Sequence, residues 1–247
     1  MVDKRPMDGF WKMYERIRKE RLVWNHKRIH RVYKLLKLNI KRKGKRRLPA
    51  RILKPLEAAA QVNLNWSMDF MSDALQSGRK FRTFNLIDDY NREALAIEVD
   101  FSLPAERIIR VLDQVTEWRG KPKNIRTYNG PEFISGALAL WCEEKGITQQ
   151  FIQPGKPTQN AYIERFNGSF RRDVLDGYLF ENIQQVRMLA EEWMEDYNCH
   201  RPHDALNGRS PMDMLAVDLW KTRDEFPTNP QPVTTTITTK MSNLDLS

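Results

Sequence analysis

Asp69, Tyr128 and Glu164 are the residues of this 247-residue chain whose types and positions suggest a reactive site. Asp69 ends the first strand-like run, Tyr128 ends the fourth, and Glu164 lies on a helical run four residues after Asn160. Carboxylate oxygens are the ligands that hard cations such as Mg²⁺ prefer. An isolated acidic residue is most often a surface group, so the assignment depends on the elements that would bring these side chains together.

Hydrophobic periodicity predicts those elements in the order βββαβαβ. Short β-like runs at 62–71, 80–88 and 93–100 indicate an antiparallel meander, and 124–128 and 147–154 contain two further short strands. A helix is predicted from Pro104 to Gly120, and a second one is stopped by Gly146. The apolar stripe of the first helix consists of Ile108, Ile109, Leu112, Val115 and Trp118.

The order of the elements predicts where the three candidate residues meet. The strand after the first crossover helix should return beside the first strand, because such crossovers are right-handed. Asp69 and Tyr128 would then be neighbours in a mixed five-stranded sheet flanked by helices, an α/β fold. The helix after the fifth strand would point Glu164 at the same sheet edge.

Charge is concentrated at the N-terminus. Residues 1–55 hold 20 Lys and Arg against 4 Asp and Glu, a net +16, whereas 56–247 hold 21 against 28, a net −7. This predicts a basic helical arm and linker at 1–55 that contacts a polyanion. The helical part should bury one face of Ile29, Val32, Tyr33, Leu35 and Leu36. The basic residues expected to contact DNA are Arg28, Arg31, Lys41, Arg42, Lys43, Lys45, Arg46 and Arg47.

Composition excludes several classes of protein. Mean hydropathy of −0.65 with 40% hydrophobic residues describes a folded, soluble chain and excludes wholesale disorder. No apolar run is long enough for a membrane span or a secretory signal, and two cysteines cannot build a disulfide framework, so we expect a cytoplasmic protein. Residues 56–220 should form the main domain with its C-terminal helices, and 221–247 a flexible tail.

Four motifs carry a family resemblance: WSMDF, NIRTYNGPEF, FIQPGKPTQNAYIERFNGSFRR and YNCHRPHDAL. Over residues 9–215 the chain resembles the integrase core of the DDE transposases encoded by the second reading frame of bacterial insertion sequences, and its core is similar to retroviral integrases. The family's spacing between its second and third acids is also present, since 35 residues lie between positions 128 and 164.

The resemblance implies a ribonuclease-H-like fold and three carboxylates that hold two Mg²⁺ or Mn²⁺ ions for in-line phosphoryl transfer, both strand cleavage and 3′-OH strand transfer. Asp69 matches the first acid and Glu164 the third, and both are expected metal ligands. The second acid is replaced by Tyr128, a neutral phenol with a weak ligand oxygen. We therefore expect weakened metal binding and impaired catalysis in this chain.

Three other functional interpretations remain open. The chain could be a non-catalytic DNA-binding or inhibitory relative of a transposase, or a nuclease that acts on RNA–DNA hybrids. Tyr128 could also be a nucleophile, as in tyrosine recombinases, but such chemistry needs Arg and His groups around the phosphate, and only Arg126 is nearby in sequence.

The resemblance also implies DNA partners, both element ends and target, a homo-oligomer assembled on DNA, and a nucleoid location in bacteria. It further implies that the basic arm at 1–55 is a partial helix-turn-helix-like region. Residues at the start of the Glu164 helix and beyond it are expected to contact DNA phosphates. These residues are Lys156, Gln159, Asn160, Arg171 and Arg172, with Asn167 and Gly168 on the same helical face.

Other candidate residues have simpler explanations. Asp73, Asp88 and Asp89 suit loops or hairpin turns, and Phe166 and Phe170 suit the core. The His26/His30 pair and the Cys199/His200/His203 cluster lack the further ligands of a zinc site. We expect the segment that contains this cluster to pack the C-terminal helices against the core.

Overall fold

The protein is described here from a computed structural model, which covers residues 9–20, 24–38, 59–128, 130, 136–152 and 160–216. Five strands form one mixed sheet in the order β3-β2-β1-β4-β5, where β1 to β3 pair antiparallel and β4 is parallel to both β1 and β5. The predicted mixed five-stranded sheet is confirmed. The strands are β1 (Asn65–Ala74), β2 (Lys80–Asp88), β3 (Ala94–Asp100), β4 (Asn124–Thr127) and β5 (Thr148–Phe151).

Six α-helices with both ends among the described residues accompany the sheet, and a further helical segment is described at 211–216. The local sequence sets their ends: Asn182 accepts a hydrogen bond from the Gln185 amide at the start of α6, and Gly120 takes φ +84° where α3 ends, a conformation that favours glycine. Single π-helical turns at 171–175 and 196–200 extend α5 and α6. The helices are α1 (Phe10–Lys19), α2 (His26–Leu35), α3 (Ala105–Arg119), α4 (Gly136–Lys145), α5 (Ala161–Phe170) and α6 (Ile183–Glu195).

Hydrophobic side chains fill both faces of the sheet. Trp66 and Ile125 are fully buried on the face covered by α3 and α4. On the opposite face, Phe166 and Phe170 of α5 contact Trp193 of α6, with ring centroids 5.4 and 5.1 Å apart. The prediction that both phenylalanines lie in the core is confirmed, and this packing fixes the rotation of α5 about its axis.

Three sequence predictions within the core domain need correction. Asp69 lies in the middle of β1 and Asp73 near its end, because β1 continues past the predicted strand and pairs with β2 through Ala74. Asp73 is therefore not a turn residue. Trp118 is 61% exposed, since the buried stripe of α3 runs through Val111 instead.

The N-terminal region contains two helices rather than one continuous helix. Asn25 caps α2 by accepting a hydrogen bond from the Lys27 amide, which starts a new helix after α1. Ile29 and Tyr33 are buried, but the other members of the predicted apolar face are exposed, because α1 covers a narrower stripe of α2 than the pattern suggested. The exposed members are Val32, Leu35 and Leu36.

Two ion pairs attach helix α1 to the C-terminal part of the core. Arg16 forms two hydrogen bonds of 2.9 and 2.8 Å with the Asp196 carboxylate, and Lys19 lies 2.5 Å from Asp213. The predicted domain boundary, the basic linker and the 221–247 tail lie outside the described residues. Within the described ranges, no helix combines the length and apolar character that a bilayer crossing requires.

Candidate active site

The strand register brings Asp69 and Tyr128 to the same edge of the sheet. Ser67 of β1 pairs with Arg126 of β4, and two further residues along each parallel strand lead to Asp69 and Tyr128. Helix α5 crosses this edge and supplies Glu164. All three line one cleft of about 600 Å³, which we call the acidic cleft.

Tyr128 and Glu164 are directly hydrogen-bonded. The Tyr128 hydroxyl donates to Oε1 of Glu164, so one carboxylate oxygen is already engaged by a neutral donor. Burial, this hydrogen bond and the nearby charges of Glu164 and Asp69 raise the pKa of the Tyr128 phenol above its ordinary value of 10.0. The phenol therefore stays protonated and adds no negative charge to the cleft.

Asp69 accepts a hydrogen bond from Asn167, which is itself hydrogen-bonded to Asn85. The side-chain amide of Asn167 donates to Oδ2 of Asp69 over 2.8 Å, and Asn85 donates to the Asn167 oxygen over 2.7 Å. Asn167, three residues after Glu164 on α5, is buried. Burial raises the pKa of Asp69 to about 6, and the charge of Glu164 adds to this rise while the hydrogen bonds oppose it.

Strand β4 is anchored by a buried ion pair. Arg126 lies 2.7 Å from Asp89, which also accepts a 2.6 Å hydrogen bond from the Ser67 hydroxyl. Burial raises the pKa of Asp89 to about 6. Asp89 thus belongs to the turn after β2, as predicted, but also fixes the strand that carries Tyr128.

The same ion pair weighs against Tyr128 as a nucleophile. Arg126 points its guanidinium at Asp89 instead of collecting a phosphate near Tyr128. The raised pKa of the phenol also disfavours the phenolate that an attack would require.

The described residues contain no group of three His, Cys, Asp or Glu side chains that could hold a metal ion. His30 packs against Phe10 with ring centroids 4.6 Å apart, and His203 packs against Tyr197 at 4.5 Å. These ring contacts are consistent with the prediction that the histidines at 26 and 30 and those at 200 and 203 are packing or surface residues.

The residues predicted to contact DNA fall into three groups. Arg171 lines the acidic cleft and is 3.2 Å from Asp73, and Arg172 is exposed, as are Arg28 and Arg31 on α2. Asn160 is fully buried, so its side chain is not placed for the predicted DNA contact. The others lie outside the described residues: Lys156, Gln159, Lys41, Arg42, Lys43, Lys45, Arg46 and Arg47.

Two residues of the site were missed or misjudged from sequence. Asn85 gave no signal, because a buried asparagine within a strand has no distinctive spacing. Asn167 was expected to follow the DNA backbone, yet it turns inward to Asp69. Its position three residues after Glu164 was the available clue, since residues i and i+3 share a helix face.

Comparisons with known proteins agree with this geometry. Two family models described as "Integrase core domain" match residues 59–157 and 145–211. The insertion element IS407 uncharacterized 31.7 kDa protein of Burkholderia multivorans is 38% identical over 216 residues, which cover 87% of this chain and 78% of that protein. The chain belongs to the integrase-core family of insertion-element transposases.

Other matches of this transposase-family chain are consistent. It is 38% identical to the insertion element IS476 uncharacterized 39.2 kDa protein of Xanthomonas euvesicatoria, over 85% of this chain and 60% of that protein. The HTLV-2 integrase catalytic core domain, solved in complex with magnesium in a trimeric form, superposes with a TM-score of 0.50 at 18% identity. That match covers 61% of this chain and 95% of the viral one. The predicted ribonuclease-H-like fold is thereby confirmed.

Proposed function

We propose that this chain acts in DNA transposition and that Tyr128 impairs its metal-dependent strand cleavage and 3′-OH strand transfer. The observation that carries the proposal is the hydrogen bond from the Tyr128 hydroxyl to Glu164. It puts a protonated donor at the position where the family resemblance implies the second of the three carboxylates. The DNA substrates would be element ends and target DNA.

The residues of the acidic cleft do not fit a pair of Mg²⁺ ions. Two divalent cations need several anionic oxygens between them, and among the described residues the cleft offers only the carboxylates of Asp69 and Glu164 beside a neutral phenol. One oxygen of Glu164 is engaged by that phenol, and the raised pKa of Asp69 favours its neutral form more than usual. We therefore derive no metal-dependent step for the chain as it stands.

Tyr128→Asp would increase the number of anionic ligands in the acidic cleft. The substitution removes the phenol donor, frees Glu164 and adds a carboxylate at the edge beside Asp69. Asn167 would continue to orient Asp69 through its 2.8 Å hydrogen bond. Three carboxylates facing one open cleft form a site of the kind that positions two cations for an in-line displacement.

The charge distribution supports DNA as the substrate. The net +16 of residues 1–55 and the exposed side chains of Arg28 and Arg31 supply the counterion-releasing groups that bind phosphates. We also propose that this chain assembles into a homo-oligomer on DNA; the viral core domain with the same fold was solved in a trimeric form.

A cleavage and strand-transfer assay with Mg²⁺ or Mn²⁺ and matched element-end DNA tests the proposal. We expect Tyr128→Asp to exceed the unmodified chain by about 10²-fold or more, because the restored ligand stabilises charge in the transition state. Tyr128→Phe is the matched control, since it frees Glu164 without adding a carboxylate, and it should stay inactive. Equal rates for the unmodified chain and Tyr128→Asp would contradict the proposal.

The second candidate is a non-catalytic DNA-binding protein that occupies element ends or joins mixed oligomers with an active relative. The same Tyr128–Glu164 hydrogen bond favours it. Salt-sensitive DNA binding without product from either the unmodified chain or Tyr128→Asp would support this candidate. Cleavage of RNA–DNA hybrids in preference to joining of DNA ends would instead indicate a nuclease.

A further inference from the structure

A second cleft lies on the side of α5 that faces away from Glu164. Its volume is about 290 Å³, and α1, the turn between β2 and β3, α5 and the segment at 197–205 enclose it. Among the described residues, four cationic side chains line it against one carboxylate, that of Asp204. They are Lys12, Arg92, Arg165 and Arg201, and we call this cleft the basic pocket.

Arg92 is the central cation of the basic pocket. Its guanidinium carbon lies 3.3 Å from the centroid of the Tyr162 ring, which fixes the plane of the group. Within the described part of the chain, its Nη1 is buried and has no hydrogen-bond partner. Arg92 as a whole is only partly buried and lines the pocket, so its guanidinium can donate to an anion placed there.

The backbone also commits Arg92 to this position. Its φ of +65° lies in the left-handed region, which a non-glycine residue adopts only at a cost in free energy. The Arg92 amide donates to the Asp88 carbonyl over 3.0 Å, which holds the turn in place. The side chain is thus presented by a fixed turn rather than by a loose loop.

The other cations converge on the same space. Arg201 is ion-paired with Asp173, so its position is set by the core, while Arg165 is exposed on α5. Lys12 is carried by α1, which the Arg16–Asp196 pair attaches to the core. Burial and then the charges of Arg201, Lys12 and Arg92 lower the pKa of His203, which indicates a positive potential in the pocket.

We infer that the basic pocket binds a phosphodiester group of the DNA backbone. The inference rests on the proposed function, because it requires that the chain binds DNA. A phosphate offers anionic oxygens that the partly buried Arg92 guanidinium and its neighbouring cations can bind. Helix α5 separates the pocket from Glu164 by about one helix diameter, roughly 10 Å, so a strand that reaches the acidic cleft has phosphates within reach of the pocket.

DNA binding by the full chain tests this inference, with a short fluorescein-labelled duplex, fluorescence anisotropy and no divalent metal. Arg92→Gln and Arg165→Gln should each weaken binding by about tenfold, and each should reduce the slope of log affinity against log salt by about one. Arg110→Gln is the matched control, because Arg110 is exposed on α3 and the substitution removes the same charge. We expect it to change affinity by less than about twofold.

A second measurement distinguishes DNA phosphate from free phosphate. The melting temperature is compared in sodium phosphate and in sodium chloride of equal ionic strength, for the unmodified chain and Arg92→Gln. Stabilisation of the unmodified chain alone, with equal DNA affinity in both proteins, would assign the pocket to free phosphate and overturn the inference. Because Arg165 is exposed on a helix, its variant should fold even if Arg92→Gln does not.

The outcomes also separate this inference from the proposed function. If the unmodified chain binds DNA and the Arg92, Arg165 and Arg110 variants bind it equally, the basic pocket is not a phosphate site, and the proposed function stands. If the unmodified chain does not bind DNA, both fail. Selective weakening in the two pocket variants supports the inference whether or not Tyr128→Asp restores strand cleavage.

Discussion

The clefts on the two sides of α5 carry opposite charge. On one side, the acidic cleft places Asp69 and Glu164 close together, and Tyr128 and Asn167 satisfy them with neutral hydrogen bonds. On the other side, the described residues that line the basic pocket include four cations and one carboxylate. The carboxylates of the acidic cleft are hydrogen-bonded within the protein, whereas the basic pocket has an excess of positive charge.

If the proposed function holds, this difference explains how a member of the family loses catalysis and keeps DNA binding. A single tyrosine hydroxyl is enough to engage Glu164, because donor and acceptor already face each other across the sheet edge. The cations of the basic pocket, in contrast, come from several separate elements. Catalysis depends on one position, but phosphate contact is distributed, so we expect the two functions to be separable by mutation.

The largest expected effect concerns Asn167, which joins α5 to Asp69. In the Tyr128→Asp background, Asn167→Ala should reduce strand cleavage by about 10- to 100-fold, because a ligand that loses its orienting hydrogen bond holds metal less well. It should also lower the free energy of unfolding by about 2 kcal/mol, since Asn85 would lose its buried acceptor. Cleavage assays and urea denaturation measure the two effects.

Ile163→Val is the control for this prediction. Ile163 is buried on α5 and lines neither cleft, so this substitution should lower the free energy of unfolding by about 1 kcal/mol but leave cleavage nearly unchanged. If both variants reduced cleavage equally, the loss would reflect a general disturbance of α5 and not the orientation of Asp69.

The next prediction concerns the pH dependence that Asp69 confers. Its folded-state pKa of about 6 is above the ordinary value of 3.8, so between these values the folded chain holds a proton that the unfolded chain has released. Stability should therefore fall as pH rises from about 4 to 6, by roughly 3 kcal/mol from this residue. Asp69→Asn should remove that part of the slope in metal-free urea titrations. A variant as pH-dependent as the unmodified chain would show that Asp69 is not the source.

Much of this architecture was predictable from the sequence. The order of strands and helices follows from hydrophobic periodicity, and the crossover rule correctly placed β4 beside β1. That pairing is what brings Asp69 and Tyr128 to one edge. These features depend on patterns repeated over many residues, which tolerate an error of a few positions.

Single contacts between distant segments were not predictable. Two hydrogen bonds in series link Asn85 to Asn167 and Asn167 to Asp69, and they join three elements. Neither the residue type nor the spacing of Asn85 predicts them. The basic pocket was missed for the same reason, since Lys12, Arg92 and Arg201 are far apart in sequence. The buried face of α2 was predicted too wide, because the apolar stripe in the sequence does not show how much of that stripe α1 covers.

The last prediction, and the smallest expected effect, mirrors that of Asp69 on the other side of α5. Burial, with the charges of Arg201, Lys12 and Arg92, lowers the pKa of His203 from 6.5 to about 3. The unfolded chain therefore gains a proton below pH 6.5 that the folded chain does not take up, so stability falls as pH decreases. Between pH 7 and 5 the loss from His203 should be about 2 kcal/mol.

Urea titrations of the unmodified chain and His203→Gln at pH 7 and 5 measure this loss, and the variant should lack it. An anion in the basic pocket would reduce the repulsion that a protonated His203 meets, so bound DNA should weaken the pH dependence in the unmodified chain alone. The same slope in both proteins would show that His203 is not held neutral by the pocket. The two clefts would then differ in composition without the opposite pH responses that their charges predict.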